Sequence, residues 1–183
     1  MRWRVRIGYP VAVLYLMLAR PTPHWIAIGT GVAALGLLVR AAASGELRKN
    51  RELATSGIYS RTRNPLYLGS AILAAGFIIA GHSLWAGLLV AVYFSVFYYA
   101  VMRNEEEDLR AQFGDAFRQY SASVPLFFPN VFGVENAPPE GERRNTFSWQ
   151  QYRRNREYKA LIGTIGALAI VWLRMWLRGR YGY

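Results

Sequence analysis

Two short polar stretches carry residue types suited to chemistry, and both stand at the edges of long apolar runs. The first is Gly57-Ile58-Tyr59-Ser60-Arg61-Thr62-Arg63-Asn64-Pro65-Leu66-Tyr67-Leu68-Gly69, and the second is Arg103-Asn104-Glu105-Glu106-Glu107-Asp108. Arg63 and Arg103 suit the binding of a carboxylate or phosphate. The glutamates suit the acceptance of a proton, and Tyr59 and Tyr67 can hydrogen-bond. Pro65 fits the first turn of a helix, where its missing N–H is not needed, which sets Arg63 and Asn64 at that helix's mouth. Four consecutive acids at a helix C-terminus oppose the macrodipole, so a structural sequence has no reason to place them there. The plain alternative is a solvated charge run in which Glu106 and Glu107 pair with Arg110 along the helix.

The elements that must position these residues are apolar. The 183 residues are 53% hydrophobic and 15% aromatic with no Cys, yet carry Lys+Arg 22 against Asp+Glu 11. Charge gathered between apolar blocks is the pattern of a membrane protein rather than of a nucleic-acid binder, and the missing thiols exclude disulfide and thiol chemistry. Five blocks approach bilayer length: residues 7–19, 25–43, 66–80, 84–102 and 160–177. The turns at 20–24 and 81–83 fold the first four into two hairpins, 7–43 and 66–102. The last block contains Arg174 near its end, so it spans or lies partly in the interface. The expected architecture is an all-α, polytopic integral membrane bundle of about five transmembrane helices built on two helical hairpins, with cytoplasmic interfacial helices.

Cations fix the expected orientation. They precede the first block and crowd the stretches between blocks two and three and between four and five, which puts the N-terminus and both polar stretches on the cytoplasmic side of an inner or plasma membrane. Arg178 and Arg180 then fall outside, a count against a full fifth span. The first block is expected to be a retained helix, because Ala19 follows Leu18 and Met17 rather than a small-x-small cleavage site. Leu109, Phe113, Phe117 and Tyr120 recur at helical spacing, predicting a separate amphipathic helix over 103–121 along the membrane surface. Residues 134–146, with Pro138-Pro139 and Gly141, read as a linker, and 147–159 as a basic, aromatic interfacial helix. The resulting divisions are a core over 1–133 containing the segment 103–129, the linker, and a C-terminal part over 147–183.

Other motifs carry less. His24 and His82 are the only histidines, so a His or Cys metal site is not expected, nor a Ser-His-Asp constellation. Gly29-Thr30-Gly31 with Gly36 matches a dinucleotide fingerprint poorly and lies inside a span with no preceding strand. These glycines read as close helix packing, as do Ser70 with Ala74, Gly76 with Ala80, and Gly163 with Ala167, whose spacing lets membrane helices approach.

The joint pattern Gly57-x-Tyr59-x-x-x-Arg63-Asn64-Pro65-x-Tyr67-x-Gly69, a hairpin, then Glu105-Glu106-x-x-Leu109-x-x-x-Phe113-Gly114-x-x-Phe117-x-x-Tyr120-x-x-x-Val124-Pro125 resembles the isoprenylcysteine carboxyl methyltransferase and phospholipid methyltransferase group of integral membrane enzymes. The resemblance covers about residues 40–129. Asn64 stands where the isoprenylcysteine enzymes have His, which is nearer to the bacterial phospholipid-type members. It implies S-adenosyl-L-methionine as methyl donor, bound without a Rossmann domain and contacted by Tyr59, Asn64, Tyr67, Gly69, Glu105 and Glu106. It also implies catalytic roles for Arg63, Glu105, Glu106 and Arg103, a cap formed by Phe127-Phe128-Pro129, and a lipophilic acceptor with a carboxylate, phosphate or amine drawn from the membrane. Two other readings use the same residues: a sterol-type reductase using NADPH, which shares an Arg-His-Pro-x-Tyr-x-Gly segment, and a non-catalytic membrane subunit on the same scaffold.

Overall fold

The structure, a computed structural model, describes residues 2–48, 52–130 and 146–181. Among these there are six α-helices, one 3-10 turn and no strand. They are α1 (Arg2–Leu18), α2 (Pro23–Glu46), the turn Gly57–Ser60, α3 (Pro65–Gly81), α4 (Leu84–Ser123), α5 (Trp149–Arg154) and α6 (Tyr158–Tyr181). All but Thr146 of the expected linker lies outside the described residues, as do Lys49, Arg51, Arg143 and Arg144.

Three helices, α2, α4 and α6, are long and apolar enough to cross a membrane, while α1 and α3 are shorter apolar helices. The chain is therefore an integral, multi-pass membrane protein. Proline opens α2 and α3 at their first positions, where no N–H is missed. The expected separate helix over 103–121 is instead the continuation of α4, which runs 40 residues. Residues 103–113 are rich in Glu, Leu, Arg, Ala and Gln, which favour helix, and polarity alone does not end one. The break comes at Gly114 (φ 53, ψ −119), a conformation that L side chains resist. At about 1.5 Å per residue the part of α4 before the Gly114 kink, residues 84–113, is about 45 Å long and exceeds the thickness of a hydrocarbon core, so its polar end extends beyond any span. The expected helix over 147–159 is also divided: α5 is one short helix, and Arg156 (φ 55) turns the chain before α6.

The described chain forms two compact units. The first comprises Met1–Leu37, Ala71–Tyr99 and Ala160–Tyr183. Its core is Tyr15, Ala19, Ala86 and Val171, with Leu16, Ile26, Phe77, Leu89 and Val90 packed on it. Gly29 of α2 and Gly76 of α3 meet backbone to backbone: a Cβ on either would overlap the other's carbonyl oxygen. The close packing expected of these two glycines is therefore present, whereas Gly31 and Gly163 have nothing within 4 Å of where a Cβ would stand. Tyr15 donates to the Phe77 carbonyl at 2.6 Å, and Arg174 Nε donates to the Leu16 carbonyl at 3.1 Å, so both polar groups are satisfied among apolar neighbours. The exposed surface is apolar, including Leu35, Leu88, Val92, Ile165 and Trp172, as expected of faces turned to lipid.

The second unit comprises Leu38–Ser70 and Ala100–Lys159. It holds two clusters, one of Ala43, Ala54 and Tyr59 and one of Phe117, Tyr120 and Val124. Leu53, Leu109 and Phe113 pack on the latter. The apolar face predicted for 103–121 thus packs inside this unit.

Candidate functional site

All the candidate residues lie in the second unit, and the stretch before α3 is held from both sides. Gly57 has φ +60, and a Cβ there would overlap the Glu46 carboxylate, whose Oε2 accepts the Ile58 N–H at 3.1 Å. Glycine is required by conformation and by space. Tyr59 is buried, with its hydroxyl 3.4 Å from the Ala43 carbonyl, and Tyr120 donates to the Tyr59 carbonyl at 2.7 Å. Residues 61–64 then run beside 125–130. The Arg63 N–H donates to the Pro125 carbonyl at 3.0 Å and the Asn130 N–H to the Arg61 carbonyl at 2.9 Å. Thr62 Oγ1 donates to the Phe127 carbonyl at 2.9 Å and Asn64 Nδ2 to the Leu126 carbonyl at 3.0 Å. The Asn64 carbonyl accepts from the Tyr67 and Leu68 N–H groups at 3.0 Å and so opens α3.

Thr62 and Asn64 therefore spend their side chains on backbone, while Arg63 between them does not. Its Nη1 pairs with Glu106 Oε1, and the two side chains are 16% and 9% exposed. Its Nε is buried and has no hydrogen-bond partner among the described residues. One helical turn further on, Tyr67 donates to Glu105 Oε1 at 2.6 Å. The two polar stretches, separated in sequence by an apolar hairpin, are in direct contact through these pairs. Arg103, 57% exposed, adds an i,i+3 contact to Glu106 Oε2 at 3.3 Å. Glu106 thus pairs with Arg63 and Arg103 rather than with Arg110, and Glu107 and Asp108 are exposed. Gly69 is buried in α3, and Phe128, part of the expected cap, is 80% exposed.

Burial raises the Tyr59 phenol well above its ordinary value, and the charges of Tyr120, Glu46, Glu105 and Glu157 add to the rise. Tyr59 is a neutral donor at physiological pH and feels three carboxylates from three parts of the chain. Two of these, Glu46 and Glu157, are absent from the sequence motif, and so is a second ion pair. Arg40 of α2 donates from Nε to Glu157 Oε1 at 2.5 Å and from Nη1 to the Ser70 hydroxyl, with the Leu66 carbonyl 3.4 Å away. The signal for Arg40 was its position as the sole charge between His24 and Glu46.

The segment carrying Glu157 closes the end of α2. Asn155 Nδ2 donates to the Ser44 and Leu47 carbonyls at 2.7 and 2.9 Å, and Gln151 Nε2 to the Leu47 carbonyl at 2.7 Å. These are carbonyls that a helix C-terminus leaves without intrahelical partners.

Comparison with known proteins agrees with the motif that this geometry gathers. The phospholipid methyltransferase family profile matches residues 26–116. The chain belongs to the phospholipid methyltransferase family. That stretch contains every candidate residue of the two polar stretches and ends before the C-terminal segment that supplies Glu157. The chain is 33% identical over 138 residues to the cobalt-zinc-cadmium resistance protein CzcN of Cupriavidus metallidurans, an alignment covering 70% of this chain and 62% of that protein. It is 32% identical over 144 residues to the nickel-cobalt-cadmium resistance protein NccN of Alcaligenes xylosoxydans xylosoxydans, covering 70% of this chain and 66% of that protein. The chain thus spans somewhat under two thirds of the length of these relatives. No solved structure matches it. Among the described residues no group of three or more His, Cys, Asp or Glu is arranged to hold a metal ion.

Proposed function

We propose that this protein is an S-adenosyl-L-methionine-dependent methyltransferase acting on a lipophilic acceptor, with about five helices in the membrane and its site on the cytoplasmic side. The observation that carries the reading is the contact of Arg63 and Tyr67 with Glu106 and Glu105, which joins the two polar stretches in one unit. The donor set suits the cofactor. The buried, unpartnered Nε of Arg63 is a place for its carboxylate oxygen, Glu105 for its ammonium, and Tyr67 and Tyr59 for the adenosine and the sulfonium. When bound, the cofactor supplies an electrophilic methyl group on sulfur. The chain's part is to hold the two reactants in line, where orientation contributes most, and for an amine acceptor a glutamate of this stretch other than the one holding the ammonium takes the released proton.

The test is equilibrium binding of methyl-tritiated S-adenosylmethionine to purified protein, run against NADPH, followed by transfer of label into a membrane lipid extract. Saturable binding lost on Arg63→Ala and Glu105→Ala in folded protein supports the proposal. Binding of NADPH instead assigns the reductase chemistry, and binding of neither assigns a non-catalytic subunit.

The names of the two relatives favour a setting for this activity, namely resistance to toxic divalent metals through modification of a membrane component. Growth in graded cobalt, zinc and cadmium, with the wild-type gene or the Glu105→Ala variant, checks it. Equal tolerance in the two strains rejects that setting.

A further inference from the structure

Arg40 is a guanidinium set into the last turns of an apolar helix, where charge is expensive and is retained for a reason. Anchoring the C-terminal segment is not reason enough. That segment is already joined to α2 by neutral bonds from Ser148 N–H to the Gly45 carbonyl (3.1 Å), from Gln151 and from Asn155. The Phe147 ring fills the space where a Cβ of Gly45 would stand. An apolar pair in place of Arg40 and Glu157 would serve such a joint as well or better. The arrangement does accomplish something else. Nε is committed to Glu157 and Nη1 to Ser70 and Leu66, which fixes the plane of the guanidinium. Nη2 has no partner among the described residues and is not among the buried, unsatisfied atoms; the side chain is 23% exposed. A guanidinium held on two edges with the third open is a pre-organised donor for an oxygen anion. Its place adjoins the site, since its partners Leu66 and Ser70 flank Tyr67 and Gly69 on α3.

We propose that Arg40 is an oxyanion-binding residue that offers Nη2 to a phosphate or carboxylate oxygen on an amphiphilic ligand, with Glu157 and Ser70 as the positioning residues that aim it. It takes from the methyl-transfer reading only that this ligand is the acceptor. The apolar helix around Arg40 selects an anion carried on a chain, and Glu157 tempers the charge so that the ligand can leave.

The experiment uses full-length protein in neutral maltoside micelles without cofactor. Binding of dodecyl phosphate, dodecanol and inorganic phosphate is followed by tryptophan fluorescence. Dodecyl phosphate is expected to bind saturably and dodecanol at least about tenfold more weakly. Arg40→Gln should weaken dodecyl phosphate about tenfold. Glu157→Gln keeps an oxygen on Nε and removes the competing charge, so it should tighten binding several-fold, which a mere staple would not do. Inorganic phosphate that competes at similar concentration overturns the amphiphilic ligand, and failure to compete at that concentration supports it. Unchanged affinity in Arg40→Gln overturns the proposal, as does weakening in Glu157→Gln together with a lowered unfolding temperature. If Arg40→Gln does not fold, the direction of the Glu157→Gln effect decides alone. Labelled S-adenosylmethionine binding is measured on the same preparations, so failure of the methyl-transfer reading is visible separately from failure at Arg40.

Discussion

Replacing Arg63 and Glu106 separately and together distinguishes a pair that builds the site from one that only stabilises it. The two side chains are 16% and 9% exposed, so each single replacement strands a largely buried charge. Breaking such a pair costs about 3–5 kcal/mol. Glu106→Leu leaves Arg63 with no other ion-pair partner among the described residues, and a cost of about 3 kcal/mol is expected, near the low end because some water reaches the guanidinium. Arg63→Met leaves Glu106 still touching Arg103 at 3.3 Å, but that arginine is 57% exposed and offsets at most about 1 kcal/mol. Its cost should therefore be about 2 kcal/mol. In the double variant two apolar side chains occupy the space, and stability should return to within about 1 kcal/mol of wild type. Unfolding is followed by intrinsic tryptophan fluorescence in micelles, which suits a chain with six tryptophans. Labelled S-adenosylmethionine binding should fall about tenfold or more in all three variants, including the one whose stability has recovered. A double variant that is stable and binds the cofactor as wild type does would refute the assignment of Arg63 and Glu106 to the site.

Three further outcomes follow from local geometry. Gly76→Ala should lower stability by about 1–3 kcal/mol, because a Cβ there overlaps the Gly29 carbonyl, whereas Gly31→Ala, which meets nothing, should leave the unfolding temperature within a degree or two. Asn155→Ala removes two hydrogen bonds to the end of α2 and should cost about 1–2 kcal/mol in unfolding measurements, with cofactor affinity unchanged. The folded state holds the Tyr59 proton above the ordinary phenol range while the unfolded chain releases it near 10, so stability is unaffected below that pH. Above it, stability should fall by about 1.4 kcal/mol per pH unit from this group. An unfolding series from pH 8 to 11 should show a shallower alkaline loss in Tyr59→Phe than in wild type, and identical slopes would remove Tyr59 as its source.

What the sequence made legible depended on contrast. Polar residues bordering long apolar runs are conspicuous, so Arg63, Tyr67, Glu105 and Glu106 stand out, and Pro65 marks the start of α3 to the residue. Helix boundaries inside polar sequence have no such contrast. The end of the apolar run at Met102 was read as the end of a helix, whereas α4 continues until Gly114, because backbone conformation, not hydropathy, terminates a helix. The small-residue spacing identified helices able to approach closely, and Gly29 with Gly76 do so, but the same pattern at Gly163 meets nothing. Spacing states what is permitted on one helix and is silent about whether a partner arrives. Arg40 was hidden for a related reason, since its partner Glu157 is 117 residues away, beyond any local periodicity.

The division of labour between residues 62 and 64 and residue 63 explains why the motif must be contiguous. Thr62 and Asn64 turn their side chains to the carbonyls of Phe127 and Leu126, and the Arg63 N–H takes the Pro125 carbonyl, so this backbone has little freedom left. Arg63 alone of the three keeps its side chain for Glu106, with one buried N–H still to give. A guanidinium on so constrained a backbone needs little reordering when it meets an anion, and low reordering cost is where a binding residue gains most. Asn64, which the family resemblance implied as a cofactor contact, joins the frame through one side-chain N–H and its backbone carbonyl. A histidine at that position could still donate one N–H to Leu126. An Asn or a His at this position can then share one backbone frame while differing in what remains to face a ligand.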